Sequence, residues 1–410
     1  MVAVLLIMTG PVLAWSLLGR LLRRWAINGQ LFMVAAGAAI GWWVTDQSTA
    51  FFDSKTTLYV AEAILALLLF VDATGFTGSL GSHLSSVPVR LLAMALPLSL
   101  AVVIALAVAL PLNISIAGAL ALSCICVTVD FSPQLSIIED TRIPARVREW
   151  LGIESGYNDG LVSPVLLAAL ALSTTHGEAE QQAAAAFVTA APAGAIAIVV
   201  GALVGTGAGW AMRWAQRTQL SDVRSLSVGV LVLPLLTFAV AIAAAGNGFV
   251  AAFVCGVSFR RTYLRNAASC TPAAPAALAM TKDVAGLVNL ELWLAFGLAG
   301  TAILAKDVQW WPAVAIAVCV LTFGRILPVA LSLIGSPAAP RDRLFMGVMG
   351  PRGAASIVFG LIAYNALPDT DGATVLAATC IVVMTSVVLH GALADRLIEA
   401  IYGNPTPSDE

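Results

Sequence analysis

Charge is what this sequence has least of. Only 11% of its 410 residues are Asp, Glu, Lys or Arg, against 60% hydrophobic, where soluble domains carry about 25% charged residues. That balance excludes a soluble globular enzyme, and a mean hydropathy of +0.93 reads as a polytopic membrane protein. Histidine is scarce as well: His83, His176 and His390 read as lying in loops or near a span end. That removes the membrane-embedded base an intramembrane serine protease needs. The six cysteines, Cys124, Cys126, Cys255, Cys270, Cys319 and Cys380, form no CxxC or His-linked pattern and read as small buried hydrophobes. A net charge of −2 carries no electrostatic footprint for nucleic acid. No connection is long enough to hide an extramembrane domain. The first apolar run has no small-residue cleavage site before the next, so it reads as a first span rather than a cleaved signal peptide.

What is present is a succession of apolar runs near the ~20 residues a helix needs to cross a bilayer. They fall at about 2–19, 29–45, 56–76, 88–111, 113–136, 151–172, 186–213, 225–245, 247–259, 284–305, 309–335, 343–365 and 372–394. The basic residues test this count of thirteen. With the N-terminus outside, seventeen fall inside: Arg20, Arg23, Arg24, Arg90, Arg142, Arg146, Arg148, Arg213, Arg217, Arg224, Arg260, Arg261, Arg265, Lys282, Arg341, Arg343 and Arg396. Only Lys55 and Lys306 fall outside, the asymmetry expected of a correctly threaded chain. The loop with Glu178 and Glu180 is then external, and the polar tail 401–410 cytoplasmic. Segment 137–150 reads as a cytoplasmic loop or a short interfacial helix.

Eight charged residues sit at membrane depth: Glu62, Asp72, Asp130, Glu154, Asp159, Glu291, Arg325 and Arg352. Each costs about 2.5–3.5 kcal/mol at the bilayer centre, so such residues usually have a task. Glu62 and Glu291 read as structural. Arg325, beside Pro328 near the end of its span, reads equally as snorkelling or functional. The others cluster. In CVTVDFSPQ, residues 126–134, Pro133 removes a backbone hydrogen bond, and broken membrane helices are tolerated where freed carbonyls line a cavity or bind an ion. In ESGYND, residues 154–159, Ser155 and Asp159 are i and i+4 on one helix face, with Glu154 and Asn158 on the adjacent one. In GVMGPRGAAS, residues 347–356, Gly347, Gly350, Pro351 and Gly353 loosen the helix around Arg352. The two broken spans are the fifth and the twelfth. With span one set aside, spans two to six and nine to thirteen read as inverted repeats, the pattern that marks a transporter's midplane site.

These segments carry a specific resemblance. ESGYND followed by GLVSP resembles the Glu-Ser-x-x-Asn-Asp signature of the cation:proton antiporter family that holds NhaP-type bacterial proteins and eukaryotic sodium/proton exchangers. GPRGAASIVFGL resembles that family's Gly-Pro-Arg-Gly segment on a late span, RVREWLGIE its arginine-bearing approach to the signature, and LLLFVDA its acidic position on the third span. The likeness covers nearly the whole chain. One segment departs: Val129-Asp130-Phe131 stands where such proteins carry Thr-Asp-Pro.

The resemblance implies an all-α fold of about thirteen spans with two crossing broken helices, forming one transmembrane unit over 1–400. A core bundle (about 88–172 and 309–394) would move against an interface domain (about 1–76 and 186–305) that also forms a homodimer. Asp159 would hold either the cation or a proton. Ser155, Asp72, Asp130 and the Val129 backbone carbonyl would add oxygen ligands, Asn158 would brace the site, and Glu154 would pair with Arg352. Transport would exchange Na+, with Li+ or K+ as alternatives, for H+ without a resident cofactor, in a bacterial inner membrane. Because Asn158 adds no second titrating carboxylate, exchange would be electroneutral. The rivals are a passive cation channel, which needs a continuous pore, and an aspartyl intramembrane protease, whose paired Asp motifs are missing.

Overall fold

The computed structural model describes residues 2–25, 27–43, 55–75, 86–131, 135–174, 179–264, 273–304, 308 and 310–403, and among them all regular structure is helical. His83, Ser132, Pro133, His176, Glu178, Arg265, Cys270, Lys306 and residues 404–410 lie outside the described residues. In chain order the helices are α1 (Val2–Arg23), α2 (Gly29–Trp43), α3 (Lys55–Gly75), α4 (Ser86–Arg90), a π-helical turn (Leu91–Ala95), α5 (Leu96–Ala109), α6 (Ile116–Val127), α7 (Leu135–Glu139) and α8 (Ala145–Thr174). They continue as α9 (Ala179–Arg217), α10 (Val223–Ala243), α11 (Gly248–Tyr263), α12 (Ala273–Leu304), α13 (Trp310–Leu321), α14 (Phe323–Ser332), α15 (Pro340–Val348), α16 (Ala354–Ala366) and α17 (Asp369–Tyr402). Each of the thirteen apolar runs coincides with one helix or with a broken series of them.

Among the described residues, eight runs are both long and apolar enough to cross a membrane. The other five fall short for visible reasons. α2 and α11 have 15 and 16 residues, the fifth and twelfth runs are broken, and α8 carries the polar stretch Glu154–Asp159. The fourth run is not a plain α-helix throughout. Pro97 has no N–H to offer, and the Leu96 N–H reaches back five residues to the Leu91 carbonyl, closing the π-helical turn. Several helices also outrun their apolar cores. α8 starts at Ala145, so Arg146, Arg148 and Glu149 form its first turns, continuous with the span, where the sequence suggested a loop or a separate short interfacial helix. α17 continues to Tyr402 and stops at Gly403, whose φ of 84° is left-handed and favours glycine.

Packing divides the chain into two compact units. The first comprises Met1–Ser54, Thr77–Asn158 and Leu290–Glu410, and its core includes Leu91, Val129, Phe131, Leu151, Val329, Phe345 and Met349. The second comprises Lys55–Phe76 and Asp159–Asn289, with Phe70, Val230, Cys255, Phe259 and Tyr263 at its centre. In that unit α9 and α11 lie so close that a Cβ on Gly205 would meet the Cys255 backbone, the close approach that small residues permit between membrane helices. The division passes through α8, between Asn158 and Asp159.

Candidate functional site

The fifth span breaks where Thr128 leaves the helix with φ −59° and ψ 133°. The last carbonyls of α6 then lack donors. Arg352, in the break between α15 and α16, donates to the Val127 and Thr128 carbonyls at 2.7 and 2.9 Å. The reverse debt is met the same way: the Ala354 N–H, at the start of α16, donates to Asp130 Oδ2 at 2.8 Å. The two breaks also touch directly, the Asp130 N–H donating to the Pro351 carbonyl at 2.8 Å. A cation therefore sits at the negative end of one half-helix and an anion at the positive end of the other, each supplied by the opposite span. Ser356 Oγ donates to the Ile125 carbonyl at 2.9 Å and lies 2.8 Å from Thr128 Oγ1. Two glycines make room. A Cβ on Gly353 would run into the Asp130 carboxylate, and one on Gly350 into the Arg325 guanidinium.

α8 supplies the third element. Glu154 forms a bidentate pair with Arg325 on α14, at 2.8 and 3.0 Å, with both side chains 7% exposed. Arg325 Nη2 also donates to the Met346 and Met349 carbonyls, each at 3.0 Å, at the carbonyl end of α15. This corrects the expected pairing of Glu154 with Arg352. The Arg352 guanidinium is taken by the carbonyls of α6, while Arg325 turns inward instead of snorkelling. There its planar fork meets a carboxylate and a helix end together.

Asn158, 1% exposed, donates from Nδ2 to the Val129 carbonyl at 3.0 Å. It thereby ties α8 to the break of the fifth span. The Val129 carbonyl, expected as a cation ligand, has one of its two lone pairs engaged in this bond. Asp130, expected likewise, is engaged as the cap of α16. Ser155 is half-buried on α8. Asp159, one turn further and 5% exposed, opens the part of α8 that belongs to the second unit. Asp72 lies on α3 in that unit with an exposed side chain. Within the first unit the structure thus brings together Val129, Asp130, Glu154, Asn158 and Arg352. Beside them a cavity of about 10 Å³, room for one water, is lined by the π-helical turn and by Ser99, Glu154, Asn158 and Arg325.

Sequence reading passed over Ser386, saw in Thr128 and Ser356 no link between the two breaks, and put His390 in a loop or near a span end. His390 is not a span-end residue: it is 4% exposed inside the first unit. The available signal was Ser386 and His390 standing one turn apart in an otherwise apolar run. Away from the membrane core, Arg142 forks onto Asp140 and reaches Asp395 at 2.5 Å. Its hydrogen bonds hold the Asp140 carboxyl below its ordinary range.

Two broken apolar helices, joined at their breaks and compensated by each other's charges, form the arrangement that marks the midplane site of membrane carriers. The chain belongs to the sodium/hydrogen exchanger transmembrane family, whose profile matches residues 2–400. Over 272 residues it is 28% identical to the K(+)/H(+) antiporter NhaP2 of Shewanella oneidensis, a match taking in 65% of this chain and 44% of that protein. Over 258 residues it is 27% identical to the K(+)/H(+) antiporter NhaP of Alkalimonas amylolytica, taking in 61% of this chain and 41% of that protein. The chain thus spans less than half the length of these relatives. In fold it is similar to the sodium proton antiporter MjNhaP1 from Methanocaldococcus jannaschii at pH 8, with a TM-score of 0.77 at 18% identity over 97% of this chain and 98% of that one.

Proposed function

We propose that this protein is a secondary active antiporter that exchanges a monovalent cation for a proton at Asp159. The observation that carries the reading is the crossing of the two broken helices, whose backbone is braced by Asn158, the neighbour of Asp159 on α8. A single carboxylate that binds either a cation or H+ couples the two flows by competition. Ser155, one turn earlier on the same face of α8, supplies a hydroxyl oxygen of the kind a hard cation takes. Na+ is the first choice of cargo, and the names of the two bacterial relatives make K+ the alternative.

With Asn158 in place of a second carboxylate, one cation exchanges for one proton. The core bundle of 88–172 and 309–394 moves against 1–76 and 186–305, the latter forming a homodimer. The protein lies in a bacterial inner membrane with its N-terminus outside and its C-terminus in the cytoplasm.

Proteoliposomes carrying an internal pH dye test this reading. Pulses of Na+, K+ and Li+ in turn should each report whether that cation drives proton movement, and Asp159→Asn should abolish it while leaving a folded protein. A valinomycin-imposed potential should leave the rate unchanged. Transport by Asp159→Asn at the wild-type rate overturns the assignment, and a rate that follows voltage overturns the stoichiometry.

A further inference from the structure

The break of the twelfth span, from Met349 to Gly353, leaves several backbone amides outside any helix. Buried amides of this kind need partners. Two of them find side chains of α17. The Gly350 N–H donates to His390 Nε2 at 3.3 Å, and the Arg352 N–H donates to Ser386 Oγ at 2.8 Å. His390 Nδ1 lies 2.8 Å from the Ser386 carbonyl and 3.2 Å from Ser386 Oγ. Each ring nitrogen lies near a carbonyl, which only accepts, but the Ser386 contact is the shorter and the Gly350 N–H is aimed at Nε2, so the geometry favours the proton on Nδ1. Nε2 of the neutral ring is then bare and free to accept from Gly350.

From this network we infer that Ser386 and His390 form a template for the break, with His390 as a positioning residue held in the Nδ1–H tautomer. Arg352 reaches the α6 carbonyls only if its own backbone is fixed, and Ser386 fixes it directly. His390 fixes Gly350 two residues earlier, at the point where the missing Cβ admits the Arg325 guanidinium. One turn of α17 therefore sets both arginine-bearing contacts of the crossing.

The same geometry makes the ring sensitive to a second proton. Nε2 also lies 3.2 Å from the Val348 carbonyl. An imidazolium would donate there and would face the Gly350 N–H with a second N–H. Protonation thus exchanges the Gly350 contact for the Val348 contact and loosens the template. The charged groups acting on the ring are the guanidinium groups of Arg352 and Arg325, the latter paired with Glu154.

The test uses the full chain in lipid nanodiscs. Selective ¹⁵N-histidine labelling, with the His390 signals assigned by their loss in His390→Gln, should show a neutral ring protonated at Nδ1 near pH 7. The Nε2–H tautomer or an imidazolium there overturns the assignment. Hydrogen–deuterium exchange supplies the second readout. In His390→Ala, peptides covering 348–354 should exchange at least tenfold faster while those of α9 do not change. Glutamine can place a carbonyl oxygen near the Nε2 position and asparagine cannot, so His390→Gln should restore protection and His390→Asn should not. Acidification, after correction for intrinsic rates, should unprotect the wild-type break and spare that of His390→Gln. Equal protection in the wild type and His390→Ala, or parallel acid responses, overturns the template. The transport arm rests on the antiport reading: His390→Gln should exchange cations faster than His390→Ala. Because the magnetic resonance and exchange readouts need no transport, failure of the template and failure of the antiport reading are told apart.

Discussion

Glu154 and Arg325 are each tolerable at membrane depth only because of the other. Removing one member of a buried pair leaves an orphaned charge, at about 3–5 kcal/mol. Glu154→Gln and Arg325→Gln should therefore each lower the melting temperature of purified protein sharply, and the double variant should recover a large part of the loss. The parallel cycle of Glu154 with Arg352 should show much weaker coupling. Strict additivity in the first cycle would show that the pair does not stabilise the fold. That Glu154 needed a cation was legible from its place in an apolar run. Which arginine answers it was not, because helical periodicity orders the faces of one helix and is silent on which of two cations, 171 and 198 positions away, its neighbours present.

The elements were legible wherever one physical signal dominated. Thirteen runs of apolar residues became thirteen helices or broken helices, since a lipid-embedded backbone must satisfy its own hydrogen bonds. Both breaks were readable from Pro and Gly beside charge. The π-helical turn before Pro97 and the extension of α8 back to Ala145 were not, because both depend on bond partners that hydropathy ignores. The approach of α9 to α11 was hidden as well, since glycines are common in membrane helices whether or not they face a neighbour. It yields a contrast on one helix. Gly205→Ala would press a methyl against the Cys255 backbone, whereas at Gly207 nothing lies within 4 Å. Gly205→Ala should destabilise the protein by about 1–3 kcal/mol, and Gly207→Ala should be neutral or gain up to ~1 kcal/mol of helix propensity. Thermal melts in the same detergent would decide, and equal effects would mean that α9 and α11 are not packed backbone to backbone.

For the molecule as a whole, acid stability should separate the membrane-depth pairs from the ion pairs at the helix ends. The Asp140 carboxyl is held below its ordinary value of 3.8 by Arg142. A depressed carboxylate contributes stability that is complete above its unfolded value and is lost as pH falls through its folded one. Arg142→Gln should therefore lower the melting temperature by a constant amount between about pH 6 and 8, and the gap to wild type should close below about pH 4. A gap that widens on acidification would assign the effect of Arg142 to another partner. At this scale the all-helical fold was legible, since apolar runs recur over the full chain. The division of packing inside α8, between Asn158 and Asp159, left no mark on the sequence, because both residues are polar and adjacent on one helix.

The exchange of charges between the two breaks also bears on how the chain is made. Arg352 and Ala354 answer Thr128 and Asp130 across 224 positions. At ribosomal speeds of about 5–20 residues per second, some ten seconds or more separate their synthesis. Throughout that interval the fifth span stands in or near the membrane with open carbonyls and a carboxylate whose partners do not yet exist. The nascent chain must keep that span beside the insertion machinery, or beside its own early helices, until the twelfth arrives. A ribosome stalled in between would release a protein whose defect is a polar wound in lipid rather than a missing domain, and membrane quality control would meet it there first.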